Sequence, residues 1–470
     1  MIRALPRLAT ALALFVAPAL AGDSLAIKAG TVMTGSGEPI ENGIILIEDG
    51  RVAAVGAADA VQIPWDAVVI DMPDMVAAPG FVEAHSNRGM DRSNESLDVA
   101  PFLDVTDSVD PVNFYFEECL RAGITTINVQ QGNETVIAGQ GMIVKPTGMT
   151  VDEMMVRPRS GVKISIDPKR GKSRATQAML LRRAFSDLRR NLEGLVGEAK
   201  AGSDRARREA LAQGRDLEGE NGKGRAMGGT AWKVEGLELV PRGEIDEKLV
   251  PLLAIVEGRM PVYMYCSTPA DVHRGLEIAR DNGFTSRTVL VLEAACWKAA
   301  DVIKASGVSV VCSPNMMHSE RDPITEEETE TFLPTVLAEK EIPFALSSNA
   351  ASTESLWYQA ALCVGQGMTR EQAMGAITTV PATILGLDKN VGTLAKGSDG
   401  DVVLYSGDPL SITSFVEHVI IDGNHVYDRS KDGRARYLLE GVTPEGTTYV
   451  EAEVIEDVHA EEKRGEEDDE

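Results

Sequence analysis

The segment Pro79-Gly80-Phe81-Val82-Glu83-Ala84-His85-Ser86-Asn87 is an apolar extended run that carries a histidine near its end, and it stands where one sequence texture gives way to another. Before it come short apolar runs broken by Gly, Asp and Asn. Ile44-Ile45-Leu46-Ile47 leads through Glu48-Asp49-Gly50 into Arg51-Val52-Ala53-Ala54-Val55, and two apolar runs joined by Asp-Gly signal a β-hairpin. The same texture returns late, at Asp401-Val402-Val403-Leu404-Tyr405 and at Val419-Ile420-Ile421-Asp422-Gly423-Asn424. The two β regions bracket the chain and are expected to pair with each other.

Between them, strand-like runs alternate with helical patterns, the signature of βα units around a parallel sheet. Strands are expected at Met75–Val82, Thr125–Val129, Val262–Cys266, Val289–Leu292, Val308–Cys312 and Pro343–Leu346. Helices are expected at Asp271–Asn282, Lys298–Ser306 and Thr369–Ile377. So many units in one chain favour a closed (β/α)8 barrel over an open sheet.

The 470 residues are 43% hydrophobic and 25% charged, which excludes a disordered or collagen-like chain. A formal charge of -26 argues against nucleic acid and anionic membrane surfaces as partners. Arg3 and Arg7, the apolar run from Leu8 to Ala17 and the small-residue site Ala19-Leu20-Ala21 read as a secretory leader over residues 1–21. The mature protein is then expected to be periplasmic or secreted, with no membrane insertion once the leader is cut. The cysteines, Cys119, Cys266, Cys296, Cys312 and Cys363, are odd in number and widely spaced, so they read as buried small hydrophobes. Residues 167–225 hold 15 Lys or Arg against 9 Asp or Glu in an otherwise acidic chain. With Leu181, Phe185, Leu188 and Leu192 at helical spacing, this region is expected to be a helical insertion, about residues 167–230, over the barrel mouth. A docking surface for an acidic partner is the sharper alternative. Residues 455–470 read as an acidic solvated tail.

On PGFVEAHSN, together with AGITTINVQQGN (Ala122–Asn133), AGQGMIVK (Ala138–Lys145), TTVPATILGL (Thr378–Leu387) and VGTLAKGSDGDVVLYSGDP (Val391–Pro409), the chain resembles the amidohydrolase superfamily, in particular its imidazolonepropionase-like, exported branch. The resemblance implies an α/β fold: a TIM-like barrel over residues 78–385. It also implies a small composite β-sandwich domain built from residues 24–77 and 391–450. It further implies metal-assisted hydrolysis of carbon–nitrogen bonds, in which one or two divalent ions acidify a bound water. The metal is gripped at the strand ends by a His-x-His pair, a Lys or Glu, two further His, and an Asp that also handles the proton.

Position by position, those donors are exchanged here. His85 is present, but the second histidine position is Asn87. The later strand ends carry Tyr265 and Ser267, then Glu293 followed by Ala294 at the usual histidine, then Asn349 at the usual aspartate. Ala294 offers no ligand and Asn a neutral carbonyl, whereas a catalytic zinc uses three strong protein ligands. The expectation is therefore a non-catalytic binding or partner subunit with no cofactor. It would pair with an intact amidohydrolase paralogue or with itself, and hold a small-molecule ligand among His85, Asn87, Tyr265, Ser267, Ala294 and Asn349. The alternative is a hydrolase of amide, cyclic amide or peptide-like bonds with an atypical, weakly held zinc, for which His85, Lys145 and His318 are the candidate ligands.

Overall fold

The structure, a computed structural model, describes residues 24–212, 234–348, 356–434 and 437. The leader, part of the basic region, Asn349 and the acidic tail lie outside the described residues. The chain divides into one unit up to Tyr427 and a second from Asp428 onward. In the second, the Asp428 carboxylate caps the short turn Arg429–Lys431 by accepting from the Ser430 N–H.

The fold is mixed α/β. One sheet has seven strands, in the order Asn424–Asp428, Val416–Ile421, Val402–Tyr405, Val68–Pro79, Ser24–Val32, Ile40–Glu48 and Arg51–Ala57. Both ends of the sequence thus contribute to it. The hairpin expected at Asp49-Gly50 is there: Asp49 and Gly50 have φ of 51° and 76°, the mirror-image turn that matches strand twist. Asp422 and Gly423, at 49° and 75°, turn the last hairpin the same way. These seven strands form a single hydrogen-bonded sheet, in which the late strand Val402–Tyr405 zips directly onto Val68–Pro79 (Val402 opposite Pro79, Tyr405 opposite Val76).

That seam places the site. The expected strand Met75–Val82 is in fact two strands, Val68–Pro79 and Phe81–Ser86, broken at Gly80. At Gly80 a Cβ would stand 2.0 Å from Thr125 Oγ1, so only glycine lets the chain pass from one sheet to the next. Phe81–Ser86 then runs parallel to Ile124–Val129. A second, six-stranded sheet holds Phe344–Leu346, Ser309–Cys312, Thr288–Leu292, Val262–Cys266 and Val162–Ser165, all parallel, with Ile137–Gln140 antiparallel at its edge. The apolar strand interiors are buried almost without interruption, as expected where helices cover a parallel sheet. Between Phe344–Leu346 and Phe81–Ser86 there is no ladder. The Leu346 and Val82 N–H groups donate instead to the Ala376 and Ile377 carbonyls, so this segment sits between the two strand edges.

The helices begin and end where local chemistry allows. Pro269–Asp281 opens with a capping box between Thr268 and Asp271 and with proline in its first turn. Ala300–Ser306 stops at Gly307 in a left-handed conformation; the region expected as one helix from Lys298 begins instead as the tighter turn Ala294–Ala299. The stripe Leu181, Phe185, Leu188 and Leu192 lies in the 39-residue helix Arg174–Ala212 and is buried. Phe185 stacks on Phe284, centroids 5.5 Å apart, just before the strand Thr288–Leu292 begins. The helix therefore runs down the flank toward the N-terminal ends of the strands, as a connection between Val162–Ser165 and Val262–Cys266, and does not lie across their C-terminal ends. No described helix is long and apolar enough to cross a membrane.

Candidate functional site

His85 and Glu83 come from Phe81–Ser86, where the ladder to Ile124–Val129 is irregular between Glu83 and Ser86. Such irregularities re-aim side chains. Asn128 repairs the gap: its Nδ2 donates to the Ala84 carbonyl at 2.9 Å, while its Oδ1 accepts from Ser160 Oγ at 2.6 Å. Lys163 comes from the middle of Val162–Ser165 and reaches His85, with Nζ 2.6 Å from Nε2. All three side chains are 0% exposed.

Burying ionisable groups has electrostatic consequences. Burial pushes the Glu83 carboxyl up to about 7, against the pull of hydrogen bonds from Ser348 and His85. Its Oε2 accepts from the Ser348 N–H at 2.8 Å and its Oε1 from the His85 N–H at 3.2 Å. Burial brings the Lys163 ammonium down to about 7, with Cys266 and Glu293 pulling the other way. No carboxylate lies within ion-pair distance of Lys163 among the described residues, and its ammonium stands 5.6 Å from the centre of the Tyr265 ring. Burial, and then the lysine charge, hold His85 well below the usual imidazole range, so the ring is neutral. Two tautomers fit the short contact: Lys163 donates to Nε2, or Nε2–H donates to a neutral Lys163. In both, His85 Nδ1 is buried without a hydrogen-bond partner, at a cost of about 1–3 kcal/mol.

Around this buried core stands a partly exposed rim. Tyr265 donates from its hydroxyl to Glu293 Oε1 at 3.2 Å. Asn87 Oδ1 and Ser348 Oγ are buried without hydrogen-bond partners. Ser267 is taken up elsewhere: its Oγ lies 2.5 Å from Asp167 and 3.1 Å from Asp271, and Arg174 bridges both carboxylates at 3.3 Å. Ala294 opens the turn Ala294–Ala299 and presents no donor.

Of the proposed metal ligands, Lys145 is taken up by carboxylates. It is buried in the seven-stranded sheet region, with Asp399, Asp401 and Asp422 at 3.0, 3.0 and 2.6 Å. Burial pulls its ammonium down, but the three carboxylates outweigh burial and hold it above the ordinary lysine range. His318 lies in the hairpin of Met317–Arg321 with Glu328–Phe332, opposite Thr331. Cys296 donates to the Cys266 carbonyl, and burial pushes its thiol up to about 12. The five cysteines are free and buried.

The donors therefore do not suit a three-ligand zinc centre. Among the described residues His85 contributes one imidazole, Glu83 spends both oxygens on backbone N–H groups, and the orphaned atoms beside them belong to neutral Asn87 and Ser348. The sequence reading passed over Glu83 and Lys163. Glu83 stands two residues before His85, on the alternation that joins His85 to Asn87, and Lys163 is a charge in the middle of the apolar run Gly161-Val162-Lys163-Ile164.

A model of the amidohydrolase family matches residues 350–427, the stretch that includes the TTVPATILGL and VGTLAKGSDGDVVLYSGDP segments. The amidohydrolase tasK of Hapsidospora irregularis is 23% identical over 428 residues, 82% of this chain and 40% of that protein. A 5-methylthioadenosine/S-adenosylhomocysteine deaminase of Nitratidesulfovibrio vulgaris is 41% identical over 75 residues, 16% of this chain and 17% of that protein. The chain thus spans well under half the length of these curated relatives. A crystal structure of an amidohydrolase from Thermotoga maritima superposes with a TM-score of 0.66 at 22% identity, covering 86% of this chain and 100% of that one. The family model thus matches the later part of the chain, and the superposition shows a shared fold.

Proposed function

We propose that this chain is an exported hydrolase of carbon–nitrogen bonds in amides, cyclic amides or peptide-like compounds, on an imidazolonepropionase-like (β/α)8 barrel, working through Glu83, His85 and Lys163 without a catalytic metal. One observation carries the reading: a lysine brought near neutrality by burial touches a neutral, fully buried histidine, and a glutamate likewise raised by burial stands two residues before that histidine. A core gains nothing from such groups, since apolar residues of similar size would fill the space at lower cost. Perturbed groups of this kind gather where proton transfer is needed.

In this proposal His85 Nδ1, the buried atom without a partner, accepts the proton of a water attacking the scissile carbonyl. Nε2–H passes its proton to neutral Lys163 across the 2.6 Å contact. Water is split between the hydroxyl added to carbon and the proton now on Lys163, and the imidazole ends neutral. Glu83, protonated in part near pH 7, supplies the proton that the departing nitrogen takes up. The base must be neutral and the acid protonated, so activity should form a narrow bell centred near pH 7.

The test is release of amine or ammonia by the full-length chain from N-acyl amino acids, dipeptides and lactams, with and without added zinc. His85→Ala and Lys163→Met should each lower turnover by roughly 10²–10⁴-fold. Turnover that ignores both variants would refute the roles given to these residues. A non-catalytic subunit is the second reading, possible partners being an intact paralogue or a second copy of the chain. It is favoured by Ser267, which is bound into the Asp167–Asp271–Arg174 network, and by the donorless Ala294. A ligand from the same panel that binds without being cleaved would establish it.

A further inference from the structure

His418 and His425 lie on neighbouring strands at one end of the seven-stranded sheet, Val416–Ile421 and Asn424–Asp428. Their rings face each other across the seam, with centroids 5.1 Å apart and planes inclined by 60°. His418 Nδ1 and His425 Nε2 are 3.1 Å apart. Two imidazole nitrogens bound to one ion at about 2.0–2.1 Å stand roughly 2.9–3.4 Å apart, from right-angled to tetrahedral geometry. The pair is therefore already spaced as a chelate. His418 is partly buried and His425 exposed, so the open side can be reached from solvent and completed by water.

We propose that His418 and His425 form a transition-metal site, separate from the His85 cluster, that takes an imidazole-preferring divalent ion such as copper(II) or zinc(II). Two nitrogen donors with open positions suit copper(II) most, following the general order of divalent affinities. Each histidine sits on a different strand, so the ion clips together the outermost two strands of the sheet. Strand edges are where a sheet frays, and a cross-strand clip there stabilises the hairpin turned at Asp422-Gly423. Ligation uses the neutral imidazole, so protons compete with the metal.

The experiment titrates the full-length chain with copper(II) at pH 7.5, reading affinity by calorimetry and nitrogen hyperfine coupling by electron paramagnetic resonance. One equivalent should bind with two-nitrogen coupling. His418→Gln and His425→Gln should each weaken binding roughly 100-fold, the gain that a second tethered donor supplies, and reduce the coupling to one nitrogen. His85→Gln should leave the signal unchanged. Neither histidine belongs to the buried core, and unchanged circular dichroism checks that each variant is folded. A two-nitrogen signal that survives in the double variant, that is lost in His85→Gln, or that never forms in the native chain overturns the proposal.

Discussion

Lys163→Met replaces a buried amine by an apolar side chain of similar length, and its effect on stability should depend on pH in a way that tests the whole site. Burial brings the lysine from an ordinary 10.5 to about 7, which corresponds to roughly 5 kcal/mol. Between pH 7 and 10.5 the unfolded chain binds the proton and the folded chain does not, so native stability rises with pH across that window. Below pH 7 both states are protonated and the folded state bears the full cost of the buried charge. The variant escapes that cost but forfeits the hydrogen bond to His85, worth about 1 kcal/mol. At pH 6 the variant should therefore be more stable than the native chain by roughly 2–4 kcal/mol. At pH 10.5 the advantage should vanish or reverse. Urea unfolding of both proteins at pH 6, 8 and 10.5 measures this directly. If Lys163→Met is destabilised equally at every pH, the amine is compensated in the fold, and the reasoning that makes it a poised base fails.

Lys145→Met should act in the opposite sense, destabilising by about 3–5 kcal/mol near pH 8, because Asp401 stays buried without its cation while Asp399 keeps only the more exposed Arg51. The deficit should shrink by pH 5, since burial already raises Asp401 to about 6 and protonation removes its charge. Glu83, raised from 4.5 to about 7, keeps its proton in the folded chain after the unfolded chain has lost it. Native stability should fall by about 3 kcal/mol as pH rises across that interval, and Glu83→Gln should flatten the fall in a thermal-denaturation series. Gly30→Ala would set a Cβ 2.2 Å from the Pro73 carbonyl oxygen, a backbone atom that cannot retreat cheaply. It should cost about 1–3 kcal/mol in urea unfolding while leaving the His85 cluster intact.

What could be read in the sequence follows from how local each signal is. The Asp49-Gly50 and Asp422-Gly423 turns need two consecutive residues with positive φ, and the residue types announce it. The strands Val262–Cys266 and Thr288–Leu292 announce themselves as apolar runs. His85 was legible because its motif is contiguous. The carboxylate cage of Lys145 was not legible, because Asp399, Asp401 and Asp422 are more than 250 residues away in sequence. Lys163 was missed for a related reason. The value of a buried lysine depends on what surrounds it, and its neighbour His85 is 78 positions earlier. Asn349, one of the exchanged positions behind the expectation of lost activity, lies outside the described residues.

The donor set around His85 and the burial of Glu83 and Lys163 bear on each other. A divalent ion stabilises carboxylates and repels ammonium groups, so an ion beside Glu83 would hold that carboxyl low and drive Lys163 toward the neutral amine. In this chain burial acts on both groups instead. Glu83 is moved up and Lys163 down until they meet near 7. Each group then lowers stability most on the side of neutrality where it is charged, Glu83 above pH 7 and Lys163 below it. Their joint contribution to stability therefore has its minimum near pH 7, where each is half ionised. A core selected for stability alone would replace both. The contact of Lys163 with a histidine whose Nδ1 lacks a partner is the observation on which the proposed proton relay rests.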